Sequence, residues 1–444
     1  MKIGFIPLDN RPVSYDLVKM TAELSADTEM FLPDISLLGG LTEPSDIDKI
    51  LEWLENLTDI DVVIVALDTI AYGGLVQSRR SNDDLKTILS RLNKFKKLIK
   101  DKKILAFSSI LRISNNNINV EEKPYWDKWG EKIFEYSYNL HRYGFAETDV
   151  PEEILEDYQS TRDRNFEVNK LYTEWQEEGI FDELIFSKDD CAEYGLNIIE
   201  AYELGKLGGK VKTGADEIPL LLLAQCFDEK VKICPVYTEE HHKHLISNYE
   251  DISVSTCVKN QIEFAGCKIS DKYSADVLLI VNNFIKYQGE IVMEIETESF
   301  SGDFMISDTP FAIADIRFAN GSDNNFAEKI LSVMPSSDFI NYSAWNTSSN
   351  TLGSLISAVK VYFYALKKGT LNREALIKLN LTRFLDDWAY QANVRQKLDK
   401  PDIKKLSKLM IPYEKKLQKI FRTDYKIRYS FPWNRLFEVR VEFI

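Results

Sequence analysis

Asp9, Asp68, Asp190 and the pair Asp216-Glu217 each stand just beyond a short apolar run, the position at which open parallel sheets present their ligands. Carboxylates gathered on one such rim raise one another's pKa, which separates a proton donor from a base or nucleophile. The same oxygens also suit magnesium or manganese. A single Asp after a strand serves equally as a helix cap or turn residue, so the signal lies in the convergence. Arg11 follows Asp9, and Arg79 and Arg80 follow Asp68, where a guanidinium orients an anionic substituent or lowers a carboxylate's pKa. Asp9 and Asp68 are therefore the expected catalytic pair, with Asp216 and Glu217 in reserve and with Asn10, Arg11, Tyr72, Arg79 and Asp190 binding substrate. The pair is expected on neighbouring strands within about 10 Å, the span that acid and base carboxylates bridge through substrate and water.

A second polar concentration lies in the C-terminal half. Asp308-Thr309, Asp315 and the stretch from Phe318 to Asn325 precede Trp345-Asn346-Thr347 and Asn350-Thr351-Leu352-Gly353. Paired donors and acceptors at this density suit a polyhydroxylated ligand, and they suit an Asx-rich capping loop as well. Asn320, Trp345, Asn346, Asn350 and Asp387 are the expected hydroxyl-positioning residues. Trp345, Asn346 and Asn350 are expected to face the same cleft as Asp9. Asp387, Gln391 and Arg395 stand four apart and should share one helix face.

Other chemistries find no motif. Gly73-Gly74 fits neither G-x-G-x-x-G nor a Walker loop, and His241, His242 and His244 miss the H-E-x-x-H spacing. No G-x-S-x-G elbow occurs. The five cysteines form no C-x-x-C pair and read as reduced core thiols. No cofactor and no metal is expected. A net charge of -15, from 55 Lys and Arg against 70 Asp and Glu, argues against nucleic-acid or anionic-membrane partners. The start, Met1-Lys2-Ile3-Gly4-Phe5, lacks a signal-peptide pattern, so a cytoplasmic location is expected.

The elements that must position these residues alternate between short apolar runs and amphipathic stretches, as in parallel sheets with crossover helices. Strands are expected at 2–8, 30–32, 62–67, 103–107, 183–186, 210–212, 231–237 and 277–281. Helices are expected at 45–57, opened by a capping Ser45, and at 83–99 and 216–227. The fold class is α/β, with two Rossmann-like parallel-sheet units, a helical insertion and a mostly helical C-terminal region. Residues 1–228 form the first domain with a helical excursion at 124–178, residues 229–345 the second, and residues 346–444 a helical region returning to the cleft.

The motifs Ile6-Pro7-Leu8-Asp9-Asn10-Arg11-Pro12, Asp68-Thr69 with Tyr72-Gly73-Gly74-Leu75 and Ser78-Arg79, and Gly214-Ala215-Asp216-Glu217 are long and compositionally odd. So are Ala319-Asn320-Gly321, Trp345-Asn346-Thr347 with Asn350-Thr351-Leu352-Gly353, Asp386-Asp387-Trp388 and Phe431-Pro432-Trp433-Asn434-Arg435. Through them the sequence resembles a bacterial domain-of-unknown-function family, number 4127. The likeness covers nearly the whole chain and implies a whole-chain family, but it carries no activity and no catalytic residue with it.

From the residues themselves, the expected function is that of a carbohydrate-active enzyme, a glycoside hydrolase working with two carboxylates on a small-molecule or oligosaccharide substrate. The alternatives are a magnesium- or manganese-dependent phosphoester hydrolase or transferase, and a non-catalytic binding protein for a small polar ligand.

Overall fold

The structure, a computed structural model, describes residues 1–302, 309–334 and 338–444; Asp308 lies outside the described residues. The chain divides into two compact units. The first comprises Met1–Tyr15, Thr28–Pro219 and Tyr249–Asp251, and the second Asp16–Asp27, Leu220–Asn248 and Ile252–Ile444.

The first unit is built on strands β1 (Lys2–Ile6), β2 (Glu29–Phe31), β3 (Val62–Ala66), β4 (Ile104–Ile110), β5 (Glu183–Lys188) and β6 (Lys210–Thr213). They form one sheet in the order β2-β1-β3-β4-β5-β6, and every pairing is parallel. The run Val-Val-Ile-Val-Ala of β3 is buried throughout, as expected of a strand covered by helices on both faces. Helix α1 (Asp16–Ala22) falls in the second unit, whereas α2 (Ile47–Asn56), α3 (Leu67–Tyr72), α4 (Leu75–Arg80), α5 (Leu85–Leu98), α6 (Trp126–Tyr143), α7 (Glu152–Glu177) and α8 (Leu196–Lys206) belong to the first. Ile6, Val63, Val65, Ile104 and Phe186 pack with Ile50, Leu54, Leu92, Phe95 and Tyr172 into its core. The helical insertion has a satellite core of Ile113, Trp126, Ile133, Val150 and Tyr158.

Ser45 does not cap α2. Asp46 does, accepting from Lys49 N–H at 3.2 Å. The Ser45 hydroxyl instead accepts from Gly39 N–H and donates to the Gly73 carbonyl. Gly73 has φ of 91°, and a Cβ there would stand 2.7 Å from Pro44 Cβ, so this tight turn admits only glycine.

The second unit carries β7 (Lys232–Tyr237), β8 (Lys268–Ile269), β9 (Val277–Asn282), β10 (Gly289–Glu290), β11 (Phe311–Asp315), β12 (Phe318–Ala319) and β13 (Phe339–Ser343). A parallel sheet runs β13-β11-β9-β7-β8, and β10 pairs with β12 beside it. Helix α9 (Ile218–Gln225) leads into it, followed by α10 (Val254–Phe264), α11 (Asn324–Val333), α12 (Ser348–Lys368), α13 (Arg373–Arg383) and α14 (Ile403–Phe421). The chain ends in an antiparallel pair, β14 (Ile427–Ser430) and β15 (Arg440–Phe443). The fold is thus α/β with two parallel sheets, a helical insertion and a mostly helical C-terminal region.

One helical expectation is corrected in part. Phe384–Val394 winds as π-helical turns, which also bring side chains five apart within reach of one another. Gln391 Nε2 accordingly approaches Asp386 Oδ1 at 3.4 Å, whereas Asp387 pairs backwards with Arg383 Nη1 at 3.1 Å. Gln391 and Arg395 do meet, Arg395 Nη1 donating to Gln391 Oε1 at 2.9 Å, whereas Asp387 is engaged by Arg383 and the Ala344 N–H instead.

Among the described residues no helix is long and apolar enough to cross a membrane. No disulfide joins any of the five cysteines, three of which are buried.

Candidate functional site

Strand order in the first sheet reverses between β1 and β3, and at such a switch point the two following loops part to leave a crevice at the strands' carboxyl ends. Asp9 follows β1, and Asp68 sits in the first turn of α3 directly after β3. The two are therefore at the ends of neighbouring parallel strands. Thr69 ties them together by donating its hydroxyl to the carbonyls of Pro7 and Leu8, at 2.7 and 3.0 Å.

Both carboxylates are already engaged. Asp9 receives Arg11 Nε at 2.9 Å and the Arg11 backbone N–H at 3.0 Å. The far side of the same guanidinium grips Asp216 through two bonds of 3.1 and 2.8 Å. All three side chains are buried. Asp216 lies above its ordinary value because burial outweighs the attraction of Arg11, with Asp9 and Asp189 adding repulsion. Glu217 is fully buried and its carboxylate packs against Gly214, where a Cβ would stand 1.9 Å from Glu217 Oε1 and where φ is 100°.

Asp68 accepts the Ser109 N–H at 2.9 Å and is 1 % exposed. Burial pushes it up to about 7, against that hydrogen bond and the pull of Arg79. An unfolded carboxyl titrates near about 3.9, so the native state holds this proton more tightly. The resulting stability is full below pH 4 and is lost as pH rises toward 7. Asp68→Asn keeps an acceptor for Ser109 and carries no charge. It should raise stability by about 2 kcal/mol at pH 8 and by almost nothing at pH 4. Urea unfolding at the two pH values checks this, and an equal change at both would rule out a buried titrating carboxyl.

Arg79 connects this crevice to the rest of the rim. Its Nη2 lies 3.0 Å from Asp189, and its Nη1 lies 3.3 Å from both Glu121 and Glu122. Arg112, just past β4, completes the group, contacting Glu122 at 2.9 Å, Glu121 at 3.0 Å, Asp190 at 2.9 Å and Asp189 at 3.9 Å. Asp190 has φ of 35°, a left-handed conformation that costs energy for a non-glycine residue. About a third of its side chain is exposed, at 32 %. Desolvation at the crowded rim and the Asp189 charge push it up to about 7, against Arg112 and Arg79.

The first unit thus brings together Asp9, Arg11, Asp68, Arg79, Asp190, Asp216 and Glu217. Asn10 is turned toward the Leu38 carbonyl, at 3.4 Å. Tyr72 is buried, with the Arg164 guanidinium 5.4 Å from its ring. It lines a polar groove of about 1000 Å³ together with Thr42, Gln77, Arg80 and Arg91. Arg112, Glu121, Glu122 and Asp189 are rim members that the sequence reading did not select. Only Asp189 had a signal, as the neighbour of Asp190 at a strand end.

Asn320, Trp345, Asn346, Asn350 and Asp387 belong to the second unit. Asp387 accepts the Ala344 N–H at 2.7 Å and faces Arg383. Burial pushes it up to about 7 against the Arg383 charge. Arg383 Nη2 also meets Asp386 at 3.1 Å and stands 6.0 Å from the Trp345 ring. Trp345 and Asn350 are 6 % and 4 % exposed. Yet Trp345 Nε1, Asn350 Oδ1 and Arg383 Nε have no hydrogen-bond partner among the described residues, each a cost of about 1–3 kcal/mol if left unmet. Arg383 also borders a void of about 10 Å³ with Thr21, Asn341, Ser343 and Ser354, roughly the room one water needs. The switch point of this sheet, between β7 and β9, is filled by Arg317, which bonds Asn282 at 3.0 Å and Glu239 at 2.8 Å. Among the described residues no group of three or more His, Cys, Asp or Glu is arranged to hold a metal ion.

A family model described as a protein of unknown function (DUF4127) matches residues 3–442. The match spans nearly the whole chain, so the chain belongs to that family. No curated protein matches it.

Proposed function

We propose that this member of the DUF4127 family is a carbohydrate-active enzyme, a glycoside hydrolase whose proton chemistry sits on the carboxyl-terminal rim of the first sheet. The observation that carries the reading is the pair Asp189 and Asp190. Asp190 is pushed to about 7 and is partly exposed, and Asp189 beside it is held by Arg79 at 3.0 Å. Two carboxyl groups in such different surroundings are what glycoside hydrolysis needs, one giving a proton to the leaving oxygen and the other acting as nucleophile or activating water. Asp190 takes the acid's role and Asp189 the second.

Asp9 and Asp68 take supporting places in this reading. Asp9 is locked with Arg11 and Asp216, and Asp68 is sealed under the rim. Arg79 and Arg112 position the working pair. Their guanidinium N–H groups take carboxylate oxygens that a divalent cation would otherwise need, which favours sugar chemistry over a metal-dependent phosphoesterase.

A panel of aryl glycosides and phosphoesters, assayed with and without chelator, tests the proposal. Turnover of a glycoside is expected, unchanged by EDTA. Turnover of phosphoesters alone, lost in chelator and restored by magnesium or manganese, would replace the reading with the phosphoesterase.

A further inference from the structure

We infer that the polar groove bordered by α2, α4 and α5 is a binding site for a small phosphomonoester with a hydroxylated body, its phosphate held by Arg80 and the Tyr72 hydroxyl. The inference concerns binding in the first unit. It rests neither on the carbohydrate reading nor on the acid and base assigned to the rim.

The groove has both room and access. Its volume of about 1000 Å³ stands at the upper end of the roughly 300–1,000 Å³ usual for small-molecule sites. Thr42, Asp48 and Ser90 in its lining are exposed, so it opens to solvent. Its acidic side chains are spent on the protein itself. Asp46 accepts the Lys49 N–H at 3.2 Å and Asp84 the Thr87 N–H at 2.8 Å, which caps α2 and α5. Asp48 holds Lys94 at 3.0 Å, and Asp83 holds Arg91 at 2.6 Å. A cationic ligand would have to break one of these contacts, and the two helix starts offer an anion nothing, because carboxylates already cap them.

Arg80 is the exception in this lining. Half-buried, it reaches the Val120 carbonyl at 3.4 Å and meets no carboxylate among the described residues. Tyr72 lines the same groove and is 3 % exposed, yet no described residue hydrogen-bonds its hydroxyl. Burial, with the Asp68 charge adding to it, holds that phenol well above its ordinary value, so it keeps its proton and remains a donor. A buried hydroxyl without a partner is costly, and the groove is the direction from which a partner can come. Two donors without an acceptor of their own call for an oxyanion. A carboxylate would give both its oxygens to the guanidinium fork, whereas a phosphomonoester has a third oxygen for the phenol. Lys86 also lines the groove, but Asp84 lies within its electrostatic reach, so the surplus charge is that of Arg80 and suits one phosphate rather than a polyanion. The Thr42 and Ser90 hydroxyls supply what the hydroxyls of a sugar or ribose body would bind.

The test is calorimetric titration of the full chain with glucose 6-phosphate, ribose 5-phosphate and adenosine 5′-monophosphate, with inorganic phosphate, glucose and glucuronate as comparators. At least one of the three esters should bind more tightly than every comparator. A preference for a sugar phosphate or for the nucleotide identifies the source of the ligand, and either supports the site. Arg80→Gln removes the charge without breaking an ion pair, and Tyr72→Phe removes the hydroxyl alone. Each should weaken ester binding about tenfold while the melting temperature holds. Lys100→Gln removes an exposed charge outside the groove and should leave affinity unchanged. If Tyr72→Phe fails to fold, Arg80→Gln set against Lys100→Gln decides. Absence of ester binding, equal affinity for inorganic phosphate or glucuronate, unchanged affinity in Arg80→Gln, or an equal loss in Lys100→Gln would overturn the inference. Glycoside turnover at the rim is unaffected by any of these outcomes, so the two readings stand or fall separately.

Discussion

Asp190→Asn should lower kcat about a thousandfold on a glycoside with a poor leaving group, in the middle of the range that positioned acids contribute. The loss should be much smaller on a nitrophenyl glycoside, whose leaving oxygen departs without protonation. KM should change little, because the amide preserves the size of the side chain and its contact with Arg112. The wild-type rate should fall as pH rises through about 7, where Asp190 loses its proton, and the variant should lack that alkaline limb. A thousandfold loss that is equal for both leaving groups would assign Asp190 to positioning rather than to proton transfer. Retention of the limb in the variant would take the acid's role away from Asp190.

The rim was legible in the sequence because parallel strands advertise both their bodies and their ends. A run such as Val62–Ala66 is apolar at every position since helices cover both faces. The first polar residues after it must then stand at the sheet's edge. What the sequence could not display is which polar groups meet there. Arg112, Glu121 and Glu122 lie on an irregular connection between β4 and α6, where no period ties residue number to direction. They pair with one another across that connection and with Arg79, Asp189 and Asp190 from elsewhere in the chain. The π-helical turns at Phe384–Val394 met the four-residue spacing only in part, Gln391 reaching Arg395 four residues on but Asp386 five residues back. The cap of α2 fell to Asp46 rather than Ser45, as both residue types cap well and the backbone path, fixed by the close approach of Gly73 and Pro44, decided between them. The left-handed backbone of Asp190, Asn320 and Asn346 leaves only a weak trace in sequence, since Asn and Asp tolerate it better than other residues.

Arg11→Met should destabilise the first unit by about 3–5 kcal/mol, the usual consequence of removing one member of a buried ion pair. The geometry sets why the effect is large. In the sheet, β1 and β6 are separated by β3, β4 and β5, four strand spacings or about 19 Å. The loops after β1 and β6 must therefore arch over the intervening strand ends for Arg11 and Asp216 to meet at 2.8 Å. The guanidinium is what holds that arch, since its N–H groups serve Asp9 on one side and Asp216 on the other. Methionine fills the space without serving either. Two buried carboxylates would then face each other uncompensated, and Asp216 would favour its protonated form in the folded state more than in the unfolded chain. The deficit should accordingly be full at pH 8 and shrink as pH falls toward 4, as Asp216, already raised, takes up its proton. Combining Arg11→Met with Asp9→Asn and Asp216→Asn should restore most of the loss at pH 8, because the three groups act as one unit. Urea unfolding at pH 8 and pH 5 measures all of this. A loss under about 1 kcal/mol, in the range of exposed pairs, would mean that the arch stands without its arginine.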